Sequence, residues 1–319
     1  MSESLNEMDA ARVQTIRNCT SQRVICHTGG AAVLHDPAVS GFDDWRLAPH
    51  ADIYGVSAFP QVLSFDAAVC GMSVIRSASR DKECWLAELQ GGDWGLGLNR
   101  QSLRGVCYFC GSTGRIRTNP VIPKNETYRE TGEITPQRLK MWSVAGIAEG
   151  MKGVLYWQYR NESFGQEYGF GLTEQDGSPS ERLKMVKKLS ALLQKHEDLF
   201  AKAKPAKAEA AIVVTPVIHM LNNAGSGCTD QITRSILGVF KTHWHNGINV
   251  SFLKGDEETT DDDYSGFKII YLPFPVWLSK KTALKLKNFV QNGGTLVSEA
   301  SLCQYGDRFF SETTVPGLG

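Results

Sequence analysis

The residues with the clearest chemical potential lie between Trp85 and Trp94, in the segment WLAELQGGDW. Glu88 closes an apolar, strand-like run and is followed by Gly91, Gly92 and Trp94. A strand end holds a carboxylate rigidly enough to serve as a nucleophile or a base. Trp94 offers a flat apolar face on which a sugar ring can stack. On pattern alone, a rim carboxylate paired to an arginine fits the same segment, because acids at strand ends are common and only some are catalytic. His27, Ser57, Gln158 and Arg160 also sit at the C-terminal ends of apolar runs.

The elements that must position these groups follow from hydrophobic periodicity. Helical spacing covers residues 7–18, 64–79, 136–150 and 180–203, with Pro136 suited to a helix N-terminus. Between them stand short β-branched or aromatic runs at residues 23–27, 51–57, 83–89 and 153–160. This alternation predicts a parallel sheet with helical crossovers. Polar residues gather where the runs end, which is the face that carries the active site in a (β/α) barrel. Residues 93–135 are rich in Gly, Asn, Pro and Thr and predict a long irregular segment, of a kind that is usually functional or mobile. Residues 202–208, rich in Lys, Ala and Pro, read as a linker. Beyond it the alternation restarts: strands at 210–216, 249–253, 267–272 and 294–298, and helices at 229–246 and 279–292. Ser279 caps the last of these helices and Gly293 stands past its end. This half predicts a small doubly wound domain. The acidic stretch 256–263 reads as a solvated loop.

Composition removes several partner classes. Lys and Arg total 34 against 34 Asp and Glu, so the net charge is zero. A nucleic-acid binder shows a basic excess, and none is present. No apolar run is long enough for a membrane span, and the first residues are polar and acidic, unlike a signal peptide. Eight cysteines are scattered through 319 residues, which suits reduced thiols in a reducing, cytoplasmic compartment. Cys107 and Cys110 are the one close pair. A closed zinc site needs two further ligands, and no second CxxC motif supplies them, so they read as loop thiols. Neither a metal nor a cofactor is expected.

The Glu88 segment, GVLYWQYR at residues 153–160, Gly165-Gln166-Glu167 and GGTLV at residues 293–297 together resemble the β-galactosidases of glycoside hydrolase family 42. The resemblance runs from about residue 12 to the end. It implies an α/β fold: a (β/α)8 TIM barrel followed by a flavodoxin-like trimerisation domain, with a β-galactoside as substrate and a homotrimer as the assembly. It implies retaining hydrolysis, in which two carboxylates about 5–5.5 Å apart share the work. Glu88 matches the nucleophile at the end of barrel strand seven. Arg160 matches the arginine ending strand eight, and Glu167 the acidic residue beyond it that holds sugar hydroxyls. Trp94 resembles the sugar-stacking tryptophan. Tyr54, Ser57 and Phe59 fall in the segment that matches strand six and lines the pocket.

Departures from the family pattern shape the remaining expectations. The family's acid/base Glu follows an Asn at the end of strand four. Here the recognisable barrel starts near strand five, and Asn6-Glu7, Asn125-Glu126 and Asn161-Glu162 all read as surface pairs. Where the family often has a His, three residues after the Glu167 position, this chain has Phe170. A full barrel needs about 250 residues, yet four strand-like runs precede Arg160. The expectation is therefore a partial barrel, strands five to eight, over residues 1–204, with the flavodoxin-like domain over 205–319. On this reading the chain is an N-terminally truncated product, its second domain is incomplete, and its acid/base carboxylate is missing. The alternative is a catalytically inactive fragment or a sugar-binding or assembly remnant. An amidotransferase-like reading of the second domain lacks a cysteine elbow with a matched histidine.

Overall fold

The computed structural model describes residues 2–34, 40–61, 64–93, 134–162, 169–226, 230–255, 261–299 and 302–303. The chain divides into two compact units. One takes Glu7–Ala31 and Ala48–Pro205, the other Met1–Asn6, Ala32–Leu47 and Ala206–Gly319. Both are α/β with parallel sheets.

Helix α1 covers Ser2–Cys19. The first unit's sheet runs in chain order through β1 (Ile25–His27), β2 (Ile53–Ala58), β3 (Glu83–Gln90) and β4 (Gly153–Trp157). Every β2 residue is buried, as expected for a central parallel strand covered on both faces. Helix α3 (Phe65–Ser79) links β2 to β3, and α4 (Pro136–Ala148) lies between β3 and β4. The shorter α2 (Asp44–Leu47) belongs to the other unit. Ser64 caps α3 by accepting the Ala67 N–H, and Thr135 caps α4 ahead of Pro136. At Gly146 of α4, a Cβ would collide with the Leu86 side chain, so glycine lets the helix settle onto β3. Arg76 of α3 reaches the Glu149 carboxylate at 2.6 Å, and Ser73 donates to the same oxygen, which ties α3 to the end of α4.

The predicted helix over 180–203 is two helices, α5 (Glu181–Lys195) and α6 (Glu197–Lys202), broken at His196. Ser180 caps α5 through the Leu183 N–H at 3.1 Å. The strand-like run over 153–160 ends as strand at Trp157, which leaves Arg160 in the following turn.

In the second unit β5 (Ala210–Val214), β6 (Val250–Lys254), β7 (Ile269–Leu272) and β8 (Thr295–Ser298) form a parallel sheet ordered β6-β5-β7-β8. Helix α7 (Pro216–Ser226) follows β5 directly, where sequence periodicity had extended the strand to Pro216. Proline suits the first helical turn because its missing N–H has no intrahelical partner there. Then come α8 (Asp230–Trp244), α9 (Asp261–Ser265), which overlaps the end of the stretch expected as a loop, and α10 (Lys280–Gln291). Leu253, Tyr264, Ile270, Leu272, Leu286 and Phe289 share the core. Residues 32–47 join this unit through a buried ion pair, Lys254 Nζ to Asp43 Oδ2 at 2.9 Å.

His219 of α7 is fully buried, and neither ring nitrogen has a hydrogen-bond partner among the described residues. Burial disfavours the charged imidazolium and pulls its pKa down to about 4 from 6.5. As pH falls through that window the unfolded chain takes up the proton first, so stability rises with pH there and is lost on acidification. Melting followed by circular dichroism across this range should show a drop in Tm toward low pH. A His219→Leu variant should lose that part of the drop.

Candidate active site

A single extra residue in β3 sets the direction of Glu88. The β2–β3 ladder pairs Gly55 with Trp85 and Val56 with Leu86, then jumps to Ser57 opposite Glu88. Ala87 is the inserted residue. Aligned residues of parallel strands point to the same face, so without the bulge Glu88 would face away from Ser57. The β3–β4 ladder shifts over the same stretch, between Leu86 and Leu89. Bulges of this kind re-aim side chains beside active sites.

Gly55 makes room for the arrangement. A Cβ there would stand 2.5 Å from Ala87 Cβ and 3.2 Å from His27 Cβ. His27 closes β1 in register with Gly55, and the Gly29 carbonyl accepts the Ser57 N–H at 2.8 Å.

Three polar side chains from three adjacent strand ends then meet. Ser57 Oγ donates to Glu88 Oε2 at 2.9 Å. His27 Nε2 stands 3.9 Å from Glu88 Oε1. Ser57 Oγ and His27 Nδ1 are 3.4 Å apart, and Nδ1 accepts the Gly29 N–H at 3.3 Å. Ser57 has one proton, and the nearer, charged acceptor takes it. With Nδ1 turned to Gly29, Nε2 is the ring nitrogen that faces Glu88. The Glu88 side chain is 28% exposed, so solvent and ligand reach it. At Cys26, next to His27, burial and the adjacent Asp9 carboxylate push the thiol up to about 12, which keeps it in the thiol form.

The rim beside Glu88 is built by close backbone approach. A Cβ on Gly91 would crowd the Phe170 and Gln158 carbonyls, and one on Gly92 would run into Gly169 and Gly171. The 169–171 segment therefore lies directly on the Gly91-Gly92 turn. Asn161 holds it from the other side: Oδ1 accepts the Gly171 N–H at 2.6 Å and Nδ2 donates to the Thr173 carbonyl at 2.9 Å.

Beneath the turn is a buried polar network. Gln90 donates to Gln61 Oε1 at 2.6 Å and to the Gly92 carbonyl at 2.8 Å. Gln61 donates to Asp93 Oδ1 at 2.8 Å. Both Asp93 oxygens accept the Ile134 N–H at 3.1 Å. Asp93 and Ile134 flank residues 94–133, so one carboxylate ties together the two ends of that span.

The remaining expected site residues divide clearly. Tyr54 is fully buried in β2 with its hydroxyl 3.4 Å from Thr28 Oγ1. Phe59 packs edge-on against Phe170, ring centroids 5.3 Å apart. Arg160 is exposed in the turn after β4, beside Gly177. Trp94, Glu167, Cys107, Cys110 and Asn125-Glu126 lie outside the described residues. Glu7 lies in α1, and Glu162 is exposed after β4. Among the described residues no cluster of three His, Cys, Asp or Glu is placed to hold a metal. No described helix is long and apolar enough to cross a membrane. His27 was read from sequence as a polar residue closing an apolar run but not as a site residue, and Asp93, beyond the Gly91-Gly92 turn, carried no such signal.

Gly55→Ala is expected to lower the urea midpoint by an amount equivalent to about 1–3 kcal/mol, the usual cost of overpacking a filled site. Its Cβ would press on both the bulge residue and His27, so any turnover should fall with it, as steady-state assays would show.

Comparison with known proteins points to one family. The β-galactosidase model of glycoside hydrolase family 42 matches residues 127–196. β-Galactosidase GanA of Bacillus subtilis is 28% identical over 160 residues, which are 49% of this chain and 23% of that protein. The β-galactosidase structure from Bacillus circulans sp. alkalophilus superposes with a TM-score of 0.74 at 16% identity, covering 97% of this chain and 40% of its own. That from the haloarchaeon Halorubrum lacusprofundi gives a TM-score of 0.71 at 17% identity, covering 99% of this chain and 43% of its own. At those identities the structural likeness establishes the fold. The chain thus spans less than half the length of the β-galactosidases it matches. By family model and curated relative the chain is similar to the β-galactosidases of glycoside hydrolase family 42, and it shares the fold of their solved structures.

Proposed function

We propose that this chain carries the nucleophile half of a retaining β-galactoside hydrolase, with Glu88 as the attacking carboxylate. The observation that carries the reading is the bulge at Ala87, which turns Glu88 onto the face of Ser57 and His27 at the C-terminal ends of a parallel sheet. The four strands β1–β4, consecutive and parallel, correspond on this reading to barrel strands five to eight within residues 1–204. Residues 205–319 form the flavodoxin-like domain that assembles three copies. The substrate is a β-galactoside or a related oligosaccharide. Arg160 and Glu167 hold its hydroxyls, Trp94 stacks on a ring, and Phe59 contributes an apolar wall backed by Phe170.

The chemistry sets what Glu88 does and what it lacks. In a retaining enzyme one carboxylate attacks the anomeric carbon, and a second, about 5–5.5 Å away, protonates the leaving oxygen and then activates water. Among the described residues the polar partners of Glu88 are Ser57 and His27. Without the acid, a good leaving group departs unaided while a sugar alkoxide does not. Hydrolysis of a nitrophenyl β-galactoside should therefore exceed that of lactose by a wide margin. Glu88→Gln should lower the aryl rate by about 10³-fold or more. An unchanged aryl rate in that variant removes Glu88 from the nucleophile role.

The same set of partners favours a second reading, a catalytically inactive sugar-binding or assembly remnant. Calorimetric titration with galactose beside the aryl assay separates the two, since binding without turnover belongs to the remnant. Sedimentation velocity at micromolar concentration tests the trimer, and a monomer would exclude it.

A further inference from the structure

The two oxygens of Glu88 are not equivalent. Oε2 accepts the Ser57 hydroxyl at 2.9 Å. Oε1 faces His27 Nε2 at 3.9 Å, beyond hydrogen-bond reach, and no described group bonds it. Among the described residues one oxygen is bonded and the other is not, on a carboxylate that is 28% exposed.

Ser57 itself is well placed to act as a fixed donor. It is buried at 6% exposure, and its backbone N–H is held by the Gly29 carbonyl at 2.8 Å. It stands opposite Glu88 across the bulge, so the register that aims the carboxylate also sets the donor. A hydroxyl that must choose between His27 Nδ1 at 3.4 Å and a carboxylate at 2.9 Å gives its proton to the carboxylate.

We propose that Ser57 is a positioning residue that clamps Oε2 of Glu88 and thereby assigns Oε1 as the attacking oxygen. This rests on the reading of Glu88 as the nucleophile, and moves Ser57 from the pocket wall to the support of the catalytic group. In the attack a lone pair on Oε1 forms the bond to the anomeric carbon, while the bond from that carbon to the leaving group breaks and takes its electron pair with it. The Ser57 hydroxyl stays on Oε2 throughout, so it restrains the carboxylate rotation that would otherwise cost orientation. When water later attacks the anomeric carbon, the bond to Oε1 breaks with its electron pair returning to Glu88, the water's proton passes to solvent, and the Ser57 hydrogen bond on Oε2 receives Glu88 back as a carboxylate.

The test uses the full chain and a dinitrophenyl 2-deoxy-2-fluoro-β-galactoside. Its leaving group departs as a stable anion and requires no acid partner, so attack is read without the second carboxylate. Mass spectrometry of digests locates the sugar ester, and the time course yields kinact and KI. The expected result is labelling at Glu88 in the wild type. Ser57→Ala should lower kinact by about 10–100-fold, the scale of one hydrogen bond to a charged group, with KI unchanged. Ser57→Thr, which restores a hydroxyl, should recover most of the rate. Matching melting curves for the variants would exclude a general loss of fold. Labelling of Glu88 at equal or greater rate in Ser57→Ala overturns the role of Ser57 and leaves Glu88 standing. Failure of the wild type to label at Glu88 overturns the nucleophile reading and this inference with it.

Discussion

A strand places successive side chains on opposite faces, so one inserted residue decides which side of the sheet a carboxylate serves. In β3 that residue is Ala87. Before it the ladder runs in simple register with β2; after it, Glu88 stands opposite Ser57. The meeting of Ser57, His27 and Glu88 follows from this step, and so does the demand for glycine at position 55, where Ala87 and His27 leave no space for a side chain. The parallel ladder also delivers three strand ends to one edge, so groups 30 and 31 residues apart in sequence reach hydrogen-bond distance.

The turn that follows β3 is held on both sides by different physics. Above, Gly91 and Gly92 let the 169–171 segment approach backbone to backbone, an approach that any Cβ would block. Below, Gln90, Gln61 and Asp93 satisfy one another in a buried network that closes on the Ile134 N–H. Such a network is costly if any member is lost, because each buried polar group left behind goes unpaired. It keeps β3 and the start of α4 in place despite the 40 residues numbered 94–133 between Asp93 and Ile134.

The second unit spends charge in its interior. Lys254 and Asp43 are 6% and 7% exposed and 2.9 Å apart. Removing two charges from water is expensive, and a buried pair of this kind is weak support for stability in itself. What it does supply is a specific tie between β6 and residues 32–47, a segment that chain order alone would have placed with the first unit.

The sequence by itself determined the element types and most of their bounds. Periodicity marked the strands and helices, and Ser279 was readable as a cap because capping is a contact within one turn; the structure adds Ser64, Thr135 and Ser180 in the same role. It also marked Glu88 as a carboxylate closing an apolar run, and the motif combination pointed to the β-galactosidases whose fold the chain shares. Where local signals compete, the reading slipped: the strand before α7 took in its first residue, Pro216, the rest of that helix went unread, and the break at His196 was missed. Tertiary structure alone decided the face of Glu88, its pairing with Ser57 and His27, and the closure of Asp93 on Ile134. A bulge is defined only against the neighbouring strand, and a buried network only against residues distant in the chain. Neither leaves a periodic trace in the sequence.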